Sequence, residues 1–292
     1  MPMITVFTST YNRGHLLHTC YESLKRQKDK DFEWLIVDDG STDNTKEIVE
    51  EWKKELNGFE IRYISKPNGG LSSGYNTAIA NLKSELAVCI DSDDALADDA
   101  ITLIKEAFAK YGADKEIAGI IGLDVDPQGK VIGHEFHREG KINAVDLMPD
   151  RTIGDKKYVF KTDLLKSVCP IPIIEGEKDL NPHYLVLKLS EQFKFAALNI
   201  PLCVVDYQEN GMSSNMWKQF LNSPRSFLLW RQEILKFKHL PLSYRFRMAV
   251  HLYSSAYLLK ERVQINDEKV LYFFAKPFGY AWSKMVQKKG KD

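Results

Sequence analysis

Long apolar runs are missing from this 292-residue chain. Its hydrophobic stretches last only a few residues, far short of the roughly 18 that a membrane-spanning helix needs. Cysteine is scarce. Cys20, Cys89, Cys169 and Cys203 are widely spaced, so no CxxC pair supports a zinc or dithiol site, and buried thiols in a reducing cytoplasm are expected. Net charge is absent too, with 40 Lys and Arg against 40 Asp and Glu. No GxGxxG follows a strand-like run, which argues against a dinucleotide-binding dehydrogenase. Met1-Pro2-Met3-Ile4 enters a strand-like run at once, so a basic and apolar leader is not expected before the fold. The chain is 44% hydrophobic and 27% charged, enough to bury a substantial core.

The zero net charge hides a division. Residues 206–292 carry 15 Lys and Arg against 7 Asp and Glu, and the rest of the chain 25 against 33. An acidic body over 1–205 and a basic, aromatic-rich helical extension over 206–292 are therefore expected as separate regions.

Within the body, β-rich runs alternate with helical ones. Strands are expected at Ile4–Thr8, Glu33–Val37, Ile61–Ile64 and Leu86–Ile90, and helices at about 15–27 and 73–82. Between them Ile48, Trp52 and Leu56 fall on one helical face. Such alternation implies βαβ units, hence an α/β fold with a Rossmann-like, mostly parallel sheet flanked by helices. Ligands bind such sheets at the carboxyl ends of the strands. Three of the four ends are polar or acidic: Ser9–Arg13, Asp38–Asp43 and Asp91–Asp94. Later in the chain Ile117–Leu123, Lys130–His137 and Ile200–Asp206 read as strands. A helix is expected after Pro182, and helices again from Trp217 onward.

Asp91-Ser92-Asp93 places two carboxylates at i and i+2 directly after a buried strand. Hard divalent cations take oxygen ligands and complete their shell with water and phosphate. Two carboxylates therefore suffice for Mn2+ or Mg2+ when a diphosphate supplies the rest. Asp94 and Asp98 are candidates to cap the next helix. In Asp38-Asp39-Gly40-Ser41-Thr42-Asp43, a carboxylate suits the imide N–H of uracil, and Ser41 and Asp43 suit helix capping. Ser9, Tyr11 and Arg13 follow the first strand, with the Tyr11 ring available to stack on a base.

In this order and spacing, Thr8–Arg13, Leu35–Asp43 and Asp91–Asp94 resemble the inverting glycosyltransferases of family 2, with the GT-A fold. The resemblance covers roughly residues 1–205. It implies that Tyr11 stacks on uracil, Asp39 hydrogen-bonds it, Asp91 approaches the ribose or the metal, and Asp93 binds the metal that bridges the diphosphate. Asn68-Gly69-Gly70 is similar to a glycine-containing loop that lines the donor pocket, although Leu71 and Tyr75 depart from the usual small or basic residues. Inversion needs a general base. The resemblance places it in Ile174-Glu175-Gly176-Glu177-Lys178-Asp179, where Lys178 interrupts the usual acidic pair. Glu177 is the first choice, ahead of Asp179 and Glu175. His134 and His137 read as structural or acceptor-site residues, His183 as a late histidine that completes a metal shell in some relatives, and Asp206–Ser213 as a loop that closes over the donor.

The implied function is transfer of a sugar from a nucleotide-sugar, a UDP-sugar first, to a glycan or lipid-linked acceptor in bacterial surface polysaccharide synthesis. Two other readings stand beside it. One is a non-catalytic nucleotide-sugar-binding subunit. The other is a sugar-phosphate nucleotidyltransferase, which would want a more basic, glycine-rich loop than Ser9–Gly14. The basic aromatic tail, with Arg231, Lys236, Trp230, Phe273 and Phe274 among its residues, suits helix packing, a homo-oligomer, or peripheral contact with the inner face of the cell membrane. No nucleic-acid recognition motif accompanies the charge.

Overall fold

The computed structural model describes residues 2–178, 180–206, 216–264 and 267–290. The chain divides into two compact units, Met1–Ile171 with Leu189–Asp206, and Pro172–Lys188 with the chain beyond Asp206.

The first unit is built on one mixed sheet. Its parallel half places β3 (Glu60–Ser65), β2 (Phe32–Asp38), β1 (Ile4–Thr10) and β4 (Leu86–Cys89) side by side. The helices α1 (Gly14–Arg26), α2 (Thr45–Trp52) and α3 (Leu71–Ala80) make the crossovers. Beyond β4 the sheet continues through β8 (Lys156–Lys161), β6 (Ile117–Val125) and β9 (Lys194–Val204) to the short β5 (Ala95–Leu96), with β7 (Gly140–Ile142) on β9. β8 is antiparallel to both its neighbours, whereas β6 and β9 are parallel. β2 is buried along its whole length and carries the unbroken apolar run Trp34–Val37, as suits a strand covered on both faces. Tyr21, Trp34 and Trp52 stack beneath it and fix α1 and α2 to the sheet. The helix α4 (Ala100–Tyr111) buries Ile101 and Ile104 in the same core.

Several local expectations fail for physical reasons. The helical period through Ile48 and Trp52 does not reach Leu56, which is fully exposed. Asn57 Nδ2 donates to the Trp52 carbonyl at 2.7 Å and ends α2 there. Lys130–His137 is not a strand. Only Val131 makes a bridge, to Val125, while Asn199 satisfies both backbone groups of Phe136 from its side chain. Neither Asp94 nor Asp98 caps α4: Asp94 is buried, and Asp98 pairs with Arg26 at 3.0 Å. β7 and β8 were not foreseen.

The second unit is helical. It contains α7 (Met216–Asn222), α8 (Pro224–Ile234), α9 (Leu242–Leu259) and α10 (Lys269–Lys289). Two shorter helices, α5 (Thr162–Ser167) and α6 (Tyr184–Ser190), precede them in the chain. A proline suits the first turn of a helix because its missing N–H has no partner there. Pro224 occupies that place in α8, and Pro182 lies just ahead of α6. α10 crosses α9 closely at Gly279, where a Cβ would stand 2.4 Å from that of Tyr253.

Candidate active site

The carboxyl ends of β1, β2, β3 and β4 carry the polar residues picked out in the sequence, and a web of hydrogen bonds joins their loops. Asn12 adopts a left-handed φ of 53°. Its N–H donates to Ser41 Oγ at 2.8 Å, and its side-chain oxygen accepts from Thr42 N at 2.7 Å. Asp43 accepts from Gly14 N at 3.1 Å at the start of α1 and from Thr45 N at the start of α2. Burial would raise the Asp43 carboxyl, but these bonds prevail and hold it below the ordinary range. So Asp43, one residue ahead of the Asn44 N-cap of α2, holds the starts of both helices, whereas Ser41 holds the β1 loop instead.

Arg13 ties that loop to β4, its Nη1 lying 3.3 Å from both Ser92 Oγ and Asp93 Oδ2. Ser92 is buried, Asp91 exposed and Asp93 part-exposed. Tyr11 leaves 48% of its surface open, a ring free to stack. Ser9 sits near the end of β1, so close to α3 that a Cβ on Gly74 would come 2.0 Å from its hydroxyl. Only glycine permits that approach.

Asp39 is nearly inaccessible and accepts from Lys66 Nζ, Asn68 Nδ2, Gly69 N and Gly70 N. The carboxylate thus lies at the N-terminus of α3, where negative charge is favoured, and orders the 66–70 loop. Gly40 has φ +84°, and a Cβ there would lie 2.9 Å from Asn68 N, so glycine is required twice over. Lys66 escaped the sequence reading, although its position just past β3 repeats the pattern of the other three strand ends.

Below the Asp91–Asp93 turn lies a second network the sequence did not reveal. Asp94, Asp124, Cys203 and Lys157 are buried or nearly so. Lys157 Nζ is 3.6 Å from Asp94 Oδ2, and Cys203 Sγ is 3.7 Å from the same oxygen. Burial lifts the Asp94 carboxyl to about 7 against the pull of Lys157, with Asp91, Asp93 and Asp124 adding to the rise. Burial likewise lifts Asp124 to about 6. Lys157 is held well above its usual value: burial opposes its charge, but the surrounding acidic groups prevail.

Among the described residues no group of three or more His, Cys, Asp or Glu converges to hold a metal ion. The donor set at Asp91 and Asp93 therefore fits a hard cation that takes the rest of its shell from phosphate and water, not an all-protein cage. His134 faces oxygen acceptors from both ring nitrogens, the Glu135 carbonyl at 2.7 Å and Asp150 at 2.8 Å. These hold its pKa above the usual value. It also stacks on His137.

In the second unit, Glu177 Oε1 accepts from Arg225 N at 2.9 Å, and Oε2 accepts from Ser226 N and Ser226 Oγ at 2.6 and 2.8 Å. The carboxylate closes the first turn of α8. Three of a carboxylate's roughly four acceptor positions are thereby used. Glu175 is exposed, and His183 N bonds Asn181 Oδ1 ahead of α6. Asp179 and the expected donor-closing loop beyond Asp206 lie outside the described residues.

Comparison with known proteins bears on this arrangement. The profile of Glycosyl transferase family 2 matches residues 5–160. The chain is 35% identical over 206 residues to a chondroitin synthase of Pasteurella multocida, an alignment of 68% of this chain but 20% of that protein. The chain thus spans about a fifth of that relative's length. Residues 1–349 of S. aureus TarS in complex with UDP-GlcNAc superpose with a TM-score of 0.62 at 17% identity, covering 93% of this chain and 79% of that one. A mannosyltransferase from Pyrobaculum calidifontis, crystallised with GDP-Man and Mn2+, gives 0.59 at 19% identity over 98% and 84%. At these identities the likeness shows the GT-A fold.

Proposed function

Since the chain belongs to glycosyl transferase family 2, we propose that it moves a sugar from a nucleotide-sugar, with inversion, to a saccharide or lipid-linked acceptor in bacterial surface polysaccharide synthesis. The observation that carries this reading is the stitching of three strand-end loops by Arg13 and Asn12 around the exposed Tyr11 and Asp91. That leaves an aromatic face for a base, an arginine for phosphates and two carboxylates for a cation along one sheet edge. UDP is the first candidate nucleotide. Tyr11 stacks on the base, while Asp39, Asn68 and Gly70 shape the pocket wall beside it. Asp39 meets the imide N–H by sharing an oxygen with the loop donors it already holds. Ser9 and Ser92 back the pocket, and Asp91 takes the ribose or the metal. Arg13 releases Asp93 as it turns to the diphosphate.

Asp93, with Asp91, would hold Mn2+ or Mg2+, whose positive charge would stabilise a departing diphosphate. Deprotonation of the acceptor falls to the Glu175–Asp179 segment, with Glu177 first. A non-catalytic binding subunit is the second reading, and the engagement of Glu177 as a helix cap favours it. Donor hydrolysis screened across nucleotide-sugars with Mn2+ tests the proposal. Hydrolysis of at least one donor, lost in Asp93→Ala, is expected. Full activity in that variant would refute it.

No helix among the described residues is long and apolar enough to cross a membrane. α10 nonetheless exposes Val270, Phe273, Phe274 and Phe278 at helical spacing, with Lys269 and Lys276 also exposed. An apolar stripe flanked by basic residues suits the interface of an anionic bilayer, which supports peripheral attachment. A second copy of the chain is the other candidate for that face.

A further inference from the structure

The second unit holds a partly open pocket of about 240 Å3 whose wall includes Phe220, Phe227, Trp230, Arg231, Met248 and His251. Its lining is largely aromatic and thioether, with Asn181, Ser226 and His251 at its polar edge and one charged group, Arg231. Arg231 is 6% exposed, and its guanidinium lies 5.1 Å from the Phe220 ring centre and 5.0 Å from that of Phe227. Among the described residues its one hydrogen bond goes from Nη1 to Ser255 Oγ at 2.7 Å. A guanidinium carries five N–H donors, so a single hydroxyl leaves most of them unused.

No carboxylate of the described residues pairs with it. Glu233, two residues on, is turned to Lys188 and Lys236 at 3.3 and 2.6 Å. Glu177 is taken up by α8, and Glu261 by Arg225. Burial alone lowers the arginine's pKa, to about 9, with no opposing charge to raise it, so it remains a cation at neutral pH. Trp230, in the same wall, has a buried Nε1–H with no acceptor among the described residues.

Buried charges in proteins are paired, and buried donors are bonded. A lone cation on a largely apolar wall, next to an unbonded indole N–H, calls for a counter-charge that the described residues do not supply. Guanidinium geometry matches carboxylate and phosphate oxygens. Phe220, Phe227 and Met248 match an apolar stem. The volume admits about eight units the size of a water molecule's share of the liquid, enough for a head group and a short chain.

We propose that this cavity binds a small anionic amphiphile, a phosphate ester or carboxylate on a short apolar stem, with its oxyanion on Arg231 and its stem among Phe220, Phe227 and Met248. Cavity and cation lie within the helical unit, and the assignment stands apart from the nucleotide-sugar reading.

The test uses the full chain with octyl phosphate, octanoate, octanol and inorganic phosphate, followed by tryptophan fluorescence and melting temperature. At least one of octyl phosphate and octanoate should bind saturably, at least tenfold more tightly than both octanol and inorganic phosphate, and raise the melting temperature. The tighter of the two identifies the head group. Arg231→Met should lose at least tenfold in affinity for that ligand, keep its affinity for octanol, and melt no lower than the wild type, since a lone buried charge has been replaced by an apolar chain. Met248→Trp, which keeps the arginine and fills the cavity, should also abolish binding. The proposal is overturned if both anionic amphiphiles bind no better than octanol, if inorganic phosphate matches them, or if Arg231→Met retains their binding.

Discussion

The strand-end loops of the first unit and the helical second unit treat buried charge in opposite ways. Asp39 is buried but meets four donors, from Lys66, Asn68, Gly69 and Gly70. Arg231 is buried as deeply and meets one hydroxyl. The first arrangement is complete in itself and preorganises a loop. The second is left unbalanced by the described residues. A satisfied buried charge therefore marks architecture that shapes a site, and an unsatisfied one marks the place a ligand fills.

The sharpest way to test this distinction is at Glu177, whose carboxylate is satisfied like that of Asp39 yet is proposed to act chemically. Glu177→Gln keeps the side-chain length and part of the cap, which is worth about 1 kcal/mol. As a general base its loss should lower kcat roughly 10²–10⁴-fold with little change in melting temperature. A loss of activity that only tracks stability would make Glu177 a cap and nothing more.

Next come paired unfolding curves. Asp39→Ala leaves Lys66 and the 66–70 loop without their shared acceptor and should cost about 4 kcal/mol. Arg231→Met should cost nothing or stabilise the unliganded chain. Equal losses in the two variants would erase the contrast.

The pH dependence of Asp124 gives a smaller effect. Burial holds its carboxyl at about 6, against about 3.9 in the unfolded chain. The native state therefore binds more protons between those values, and the stability Asp124 contributes falls as pH rises through that window. Asn does not titrate, so Asp124→Asn should gain relative to wild type from pH 4 to 7, by up to about 3 kcal/mol. Urea unfolding at both pH values checks this. A relative loss as pH rises would mean that Lys157 needs the charge more than burial opposes it.

The smallest effect on stability is expected from Phe273→Ser with Phe274→Ser on the exposed α10 face, within about 0.5 kcal/mol. The same pair should reduce flotation with anionic vesicles. Undiminished flotation, or a dimer that the pair breaks, would give that face to a second copy.

What the sequence disclosed followed from the alternation of apolar runs with polar punctuation. Tyr11, Arg13, Asp39 and Asp91 each stand just past a buried strand, so their grouping at one sheet edge could be read before any coordinates. Leu56 misled because a helical period continues on paper past the point where Asn57 takes the Trp52 carbonyl. Lys130–His137 misled because an alternating pattern does not show that Asn199, far along the chain, will bond Phe136 in place of a strand partner. The Asp94, Asp124 and Lys157 network was hidden for the same reason, since its members meet only through the pairing of β6 with β8 and β9. Arg231 counted in the sequence as one more basic residue of the tail. Nothing local marks it as buried away from every carboxylate of the described residues.

The central claim is that Asp91 and Asp93 complete a cation-dependent nucleoside-diphosphate site with Arg13 and Tyr11. Calorimetric titration of UDP into the full chain, with Mn2+ and with chelator, tests it most directly because it needs neither sugar nor acceptor. Binding should be at least tenfold tighter with Mn2+, and Asp93→Ala should abolish that difference while leaving the metal-free affinity in place. Equal affinity with and without metal, or an Asp93→Ala variant that responds to Mn2+ as the wild type does, would contradict it.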